Sequence, residues 1–492
     1  MSTEAAPTTS ASPPPIAVMN WIGGVQCDAA ERFERRNPAR LDHVVSTAPE
    51  SSSSDVSAAV GAALEGLAEW RRSTPSRRAE VLMAAGRLLA ERSGDIAADM
   101  VVEEGKPLAD ARNEAGRTPK NLELYAGEAY RLTGATYPSD DTPVVYSTLD
   151  PIGVVGVITP WNFPLNLASR KIGPALAAGN AVVFKPSPMT PWMGDRLATA
   201  FFDAGLPAGV LNVVHGMTAG AHLVADDRVA GITFTGSTAV GRRIHEASGM
   251  NRRLQLELGG KNPIVVLADA DLASAADVVV RSSFSLTGQA CTGAGRILVA
   301  HEVHDELLER VIAGAVAYRL GAGDVDGVTM GPLVDERAVS EMQRVCAQAI
   351  SDGASLVTGG SVPTGPSFDG GAFFSPTVFV DVDPASELAR QEVFGPIIGI
   401  ERISSLDEAI ASANAVEYGL TSSICTRSIA SAQRFAAEVE AGMVRVNRAT
   451  VGAAFNAPFG GIKASGSGVH REQLGPTVMD FYTVSRTVWM GS

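Results

Sequence analysis

The chain has 492 residues, 40 Lys and Arg against 54 Asp and Glu, a formal net charge of −14, 45% apolar residues and 19% charged ones. That balance can bury enough apolar surface to offset chain entropy, which excludes a disordered polymer, and its acidity excludes a nucleic-acid surface built from clustered Lys and Arg. No apolar run reaches the roughly 18 residues of a membrane span, and the length implies about two to four domains.

In chain order, the first 15 residues, MSTEAAPTTSASPPP, lack the charged start and apolar core of a signal peptide and read as a disordered tail. Helical spacing begins near Ser54, where Asp55 can cap and Val56, Val60, Ala63, Leu64, Leu67 and Trp70 recur at three- and four-residue steps. Helices are expected again over 77–104 and 107–132. The segments VVYSTLD and GVVGVIT, joined at Asp-Pro-Ile-Gly, read as a strand pair, the first in the chain. From 154 to 270 short apolar runs alternate with helical ones, the pattern of a doubly wound parallel sheet, and the alternation restarts at IVVLADA and continues to about 446. The last stretch, MDFYTVSRTVWM, alternates like a strand and must pair backwards or with another chain.

The four cysteines, Cys27, Cys291, Cys346 and Cys425, lie far apart, which excludes a disulfide scaffold and points to a reducing, cytoplasmic home. The nearest histidines, His301 and His304, have no cysteine beside them, so no metal is assigned. Cys346 and Cys425 sit on apolar patterns and read as small core residues. Cys291 is set in GQACTG, whose glycines and small neighbours leave room for a ligand, and reads as a nucleophile that must reach its thiolate form. Glu257 ends the strand-like LQLE before two glycines; it is either a general base or an ordinary strand-end carboxylate. In ITFTGSTAVGRR, Gly236 and Ser237 open a helix whose N–H groups can take a phosphate or merely receive a cap. Prolines bracket Trp161-Asn162-Phe163 and leave the Asn162 amide as a rigid donor. Lys185 stands at a strand end in FKPSP, and Glu392 and Phe394 flank a Gly-Pro turn.

Together PWNFP, FKPS, FTGS, LELGGKNP, GQACTG, EVFGP and PFGGIKASG, in that order and with Glu257 preceding Cys291 by 34 residues, resemble the NAD(P)-dependent aldehyde dehydrogenase superfamily over nearly the whole chain. The resemblance implies an α/β aldehyde dehydrogenase fold: a Rossmann-like cofactor domain (16–130 and 150–256), an α/β catalytic domain (257–446) and a small β oligomerisation element (131–149 and 478–492). It implies that the Cys291 thiolate attacks an aldehyde, that the Asn162 amide holds the oxyanion, and that Glu257 activates the water that hydrolyses the thioester. It places Thr159, Pro160, Trp161, Lys185, Ser187, Gly236, Ser237, Gly241, Leu258, Glu392 and Phe394 at the cofactor, NAD or NADP. Where many NAD-preferring members carry a glutamate this chain has Pro188, which admits a 2′-phosphate.

The partners so implied are a small-molecule aldehyde and a second copy of the chain in a homodimer or homotetramer, with neither nucleic acid nor membrane. Arg170, eight residues after Asn162, matches the arginine that meets the substrate carboxylate in semialdehyde dehydrogenases; otherwise it is a helix cation paired with a carboxylate. Phe163 and Phe459 would line the same substrate site. The segment VNRATVGAAFNAPFGGIKASGSGVHREQLG is similar to the 2-oxoglutarate semialdehyde group, whereas Ser285 stands where succinate semialdehyde enzymes often have a second arginine. Neutral aldehydes are the alternative substrates. A CoA-acylating relative is a rival that Glu257 disfavours.

Overall fold

Two seven-stranded sheets, each wrapped by helices, carry most of the chain in the computed structural model, which describes residues 14–466 and 469–491. All but Pro14 and Pro15 of the expected N-terminal tail lies outside the described residues. The first sheet runs Arg253–Glu257, Gly231–Thr235, Val154–Ile158, Ala181–Lys185, Leu211–Val213, Asn20–Ile22, Val25–Cys27. Its first five strands are parallel, and the last two add antiparallel. The segments VVGVI, AVVFK and GITFT are buried at every position, as parallel strands covered on both faces must be.

The second sheet runs Ser355–Thr358, Thr377–Val380, Ile397–Ile403, Ala294–Ala300, Asn262–Val266, Thr421–Cys425, Met443–Val446, and only Ser355–Thr358 at its edge is antiparallel. Cys346 and Cys425 are buried in the apolar clusters around this sheet.

Three expectations are corrected. VVYSTLD and GVVGVIT do not pair: Val154–Ile158 lies inside the first sheet, while Val144–Pro151 leaves it to join Thr483–Met490 and Thr136–Tyr137 in a separate three-stranded sheet. Nor are they the first strands, because five short ones precede them between Ile16 and Pro49. The first helix, Ser53–Trp70, is capped by Ser52, and Asp55 completes the capping box from its third position by accepting the Ser52 N–H at 2.8 Å. The C-terminal strand pairs backwards, its eight residues Thr483 to Met490 in antiparallel register with Pro151 to Val144, after one helical turn at Met479–Tyr482.

Candidate active site

Adjacent parallel strands of the first sheet end side by side, and the residues after those ends gather on one rim. In sheet order the ends deliver Glu257, then Thr235 and Gly236, then Thr159 to Asn162, then Lys185 to Ser187. This is where ligand crevices open in open α/β sheets. The second sheet meets that rim with the amino ends of its strands: Cys291 precedes Ala294–Ala300, and Glu392 and Phe394 precede Ile397–Ile403.

The Cys291 loop is held from below. Asn262 Nδ2 donates to the Cys291 carbonyl at 2.7 Å and to the Gly293 carbonyl at 2.8 Å, while its Oδ1 accepts the Thr421 N–H at 3.1 Å, tying three strand starts together. Leu286 and Thr287 take left-handed φ of 53° and 57° just upstream. At Gly288 a Cβ would stand 2.2 Å from the Gly395 carbonyl, so only glycine lets the Cys291 and Phe394 loops approach. The Asn162 amide donates to the Gln289 carbonyl at 2.8 Å, which leaves its second N–H for a ligand.

The charges are arranged around the thiol. Burial pushes the Cys291 thiol up to about 12, the Glu392 and Glu257 carboxylates push the same way, and Arg170 opposes them. Glu257 is 2% exposed, and burial raises its carboxyl well above the usual range against the pull of Lys171 and a hydrogen bond with Gln473. Glu257 Oε1 has no hydrogen-bond partner among the described residues. Lys171 is wholly buried, donates to Thr233 Oγ1 at 2.9 Å, and is brought down to about 7 by burial.

Arg170, next on the same helix, is 4% exposed, lies 5.6 Å from the Phe459 ring centre, and has an Nε without a partner. The alternative of a helix cation paired with a surface carboxylate is not what the structure holds: Arg170 forms no ion pair among the described residues. Glu392 accepts the Gly260 N–H at 3.2 Å and is raised to about 7 by burial.

A cleft of about 800 Å³ runs along the rim, lined by Thr159, Pro160, Trp161, Asn162, Lys185, Ser187, Gly236, Ser237, Leu258, Cys291, Glu392 and Phe394. The sequence-derived cofactor residues are thus gathered on one cavity, with one exception. Gly241 does not line it; a Cβ there would stand 2.4 Å from Leu258 Cδ2, so the glycine serves the packing of its helix on Leu258. Phe163, Arg170 and Phe459 also lie outside the cleft wall. Cys291 belongs to both regions, lining the cleft while packing against the Phe459 cluster. Arg243 and the helix residues Gly220 and Ala221 also line the cleft and are not marked by the sequence, because only the fold brings their helices to the rim.

The cleft suits a dinucleotide. The buried hydroxyls of Thr159 and Thr235 on its wall have no hydrogen-bond partner among the described residues. Ser237 caps the helix Thr238–Ala247, whose free N–H groups are fit to receive a pyrophosphate. A Cβ at Gly259 would stand 2.1 Å from Glu392 Oε2, so glycine leaves that carboxylate its place.

Behind the Asn162 loop lies a buried ionic cluster that the sequence reading missed. Lys106 Nζ donates to Glu114 Oε2 at 2.6 Å and to the Asn162 carbonyl at 2.9 Å, with Glu104 at 3.1 Å. Glu114 Oε1 accepts the Leu165 and Asn166 N–H groups at 3.0 Å each, closing the start of the helix that carries Arg170 and Lys171. Lys106→Met leaves two carboxylates buried without their cation and is expected to destabilise the fold by about 3 kcal/mol, read as a lower urea midpoint. An unchanged midpoint would show the cluster to be incidental.

The family model described as aldehyde dehydrogenase family matches residues 25–488. An alpha-ketoglutarate semialdehyde dehydrogenase of Haloferax volcanii is 40% identical over 96% of this chain and 98% of its own. A 2,5-dioxopentanoate dehydrogenase of Saccharolobus solfataricus is 39% identical over the same shares, 96% and 98%. Among solved structures, an aldehyde dehydrogenase of Bacillus cereus in complex with NAD+ superposes with a TM-score of 0.92 at 34% identity, covering 96% of each chain. A match of this length, together with a half-buried cysteine at the meeting of two α/β sheets, makes the chain a member of the aldehyde dehydrogenase family.

Proposed function

We propose that this protein oxidises an aldehyde carrying a distal acid group to the corresponding carboxylic acid, with NAD or NADP as hydride acceptor. Cys291 is the nucleophile: its thiolate adds to the aldehyde carbon, and the oxyanion formed takes the spare Asn162 N–H and the Cys291 backbone N–H. A nicotinamide cofactor held in the cleft would supply the hydride acceptor, and loss of hydride from this carbon would leave the acyl group on Cys291 as a thioester. Glu257, through its unpartnered Oε1, takes a proton from water; the hydroxide adds to the thioester carbon, and collapse releases the carboxylic acid and returns the thiolate.

Lys185 and Ser187 would hold the adenosine ribose, Ser237 the pyrophosphate and Glu392 the nicotinamide ribose. Phe394 and Trp161, whose rings meet edge to face at 5.7 Å, would wall the nicotinamide. At Pro188 the cleft lacks a carboxylate that would repel a 2′-phosphate, and Arg243 adds a cation that would attract one.

The observation that carries the acid-group reading is Arg170, a buried guanidinium that acts electrostatically on the Cys291 thiol and whose Nε has no hydrogen-bond partner among the described residues. Leaving such a donor unpaired is costly, and an anionic substrate head is a fitting partner. The names of the relatives from Haloferax volcanii and Saccharolobus solfataricus, an alpha-ketoglutarate semialdehyde dehydrogenase and a 2,5-dioxopentanoate dehydrogenase, support the same class. The test is reduced-cofactor absorbance with NAD and NADP in parallel, against 2-oxoglutarate semialdehyde, succinate semialdehyde, pentanal and benzaldehyde. Acid aldehydes are expected to lead in kcat/KM, and Arg170→Gln to remove roughly 100-fold of that lead. A wild-type preference for the neutral aldehydes would overturn the reading.

We also infer a cofactor-binding domain over 16–130 and 150–256, a catalytic domain over 257–446 and a bridging element over 131–149 and 478–492. The composition of the two large sheets supports that division. The bridging sheet exposes Val144, Val484 and Met490 on one side and Tyr137 and Trp489 on the other, apolar surface suited to a second copy in a homodimer or homotetramer.

A further inference from the structure

One face of the helix Leu108–Ala129 runs beside the helix bearing Arg170 and out to the surface. Tyr125 Oη donates to the Gln473 carbonyl at 2.9 Å at its inner end, and Asn121 Nδ2 donates to Asn166 Oδ1 at 2.8 Å and Ser169 Oγ at 2.9 Å further out. Four residues before Asn121, Arg117 donates from Nη2 to the Ala453 carbonyl at 2.7 Å, with its guanidinium 4.5 Å from the Phe455 ring centre. The exposed Lys120 ammonium stands 6.0 Å from that same ring.

These contacts form a line. Cys291 packs against the cluster of Phe459, which also holds Ala453; Arg170 covers Phe459; Arg117 grips Ala453 and covers Phe455; Lys120 closes the row at the solvent. None of the three cations forms an ion pair among the described residues. Arg117 and Arg170 are near enough to repel, since Arg117 helps hold the Arg170 guanidinium below its ordinary value, to about 10, behind the larger effect of burial. Two guanidiniums without an ion pair among the described residues stand along one row of aromatic contacts leading to Cys291, the inner one with a buried Nε that has no partner among those residues, a setting that suits an anion between them.

We propose that Arg117 is a second anion-recognition residue at the outer end of the path to Cys291, where it and Arg170 together take the acid head of the substrate. This rests on the acid-aldehyde reading of the same site and deepens it. One carboxylate is satisfied by one guanidinium in the bidentate mode. Two guanidiniums therefore select a head with a further acceptor beside the carboxylate, which is the chemistry of a 2-oxo acid. Lys120 adds attraction at the mouth, where it steers anions inward.

The experiment measures kcat/KM of the full-length wild type, Arg117→Gln and Arg117→Lys for 2-oxoglutarate semialdehyde, succinate semialdehyde and pentanal. In Arg117→Gln the ratio of the 2-oxo acid aldehyde to pentanal is expected to fall roughly 10- to 100-fold, mostly through KM, and more than the succinate semialdehyde ratio falls. Arg117→Lys should restore part of it. Ratios within twofold of wild type in Arg117→Gln, while the wild type keeps its preference for acids, would overturn this proposal alone. A wild type without that preference would overturn the reading beneath it as well. A readout independent of turnover is protection of Cys291 from iodoacetamide by 2-oxoglutarate, which offers the acid head but no aldehyde. The wild type should be protected, with Arg117→Gln needing at least tenfold more acid for the same protection; equal protection would count against the proposal.

Discussion

Cys291→Ala is expected to lower aldehyde oxidation by at least roughly 10⁴-fold, as removal of a covalent nucleophile does when nothing can replace it. Nothing here can. Cys346 and Cys425 are buried in cores around the second sheet, and Cys27 is on an edge strand of the first, so no other thiol reaches the rim. Cofactor affinity should stay within about twofold of wild type, because the cleft is built on the ends of four other strands and on the Glu392 loop. Fluorescence titration of the reduced cofactor checks that arm, and absorbance kinetics check the other. Retained turnover would remove the nucleophile assignment, whereas lost turnover with lost cofactor binding would mean that the alanine had collapsed the loop.

The same thiol shows how the site restrains itself before substrate arrives. Burial and two facing carboxylates favour the neutral thiol over the thiolate, and only Arg170 and the Thr292 N–H work the other way. Arg170 therefore has two opposing demands, to support the thiolate and to meet the substrate head. A helix that presents Arg170 to Cys291 and Lys171 to Glu257 from consecutive positions lets one element serve both halves of the reaction.

The parts of this site legible in the sequence were those written locally. Strand-end residues such as Glu257, Asn162 and Lys185 sit beside glycines and prolines whose backbone chemistry marks the turn, and the structure sets them at or just beyond the ends of three strands of one sheet, on one rim. What stayed hidden depends on pairings across the chain. Arg117 meets Ala453 across 336 positions, and no periodicity encodes that distance. Lys106 and Glu114 read as ordinary charges on a helix and its approach until Asn162 and Leu165 close over them. Val144–Pro151 and Val154–Ile158 read as partners from sequence because a turn joins them, yet the chain passes from one sheet to another at that turn. The N-terminal strands are two to ten residues long, and the shortest of them carry too few positions for an alternating pattern to register.

Glu257→Gln is expected to slow steady-state turnover by about 10²- to 10³-fold, the range of a lost general base, while leaving the first turnover nearly intact. The carboxylate is not needed for attack on the aldehyde, whose oxyanion would be held by Asn162 and the Cys291 N–H. The mutant should therefore show a burst of reduced cofactor followed by a slow phase. Stopped-flow absorbance with enzyme at micromolar concentration resolves the two.

The pH dependence follows from the same geometry. Burial raises the Glu257 carboxyl, so its base form is scarce at low pH and grows as pH rises through that raised value; deacylation should climb with it. Lys171, itself brought to about 7 by burial, pulls the carboxyl downward. Removing the ammonium in Lys171→Met should move the rising limb of the steady-state profile to higher pH, with the burst amplitude kept. An unchanged steady-state rate in Glu257→Gln, or a loss of the burst along with it, would mean that hydrolysis of the thioester is not the step Glu257 serves.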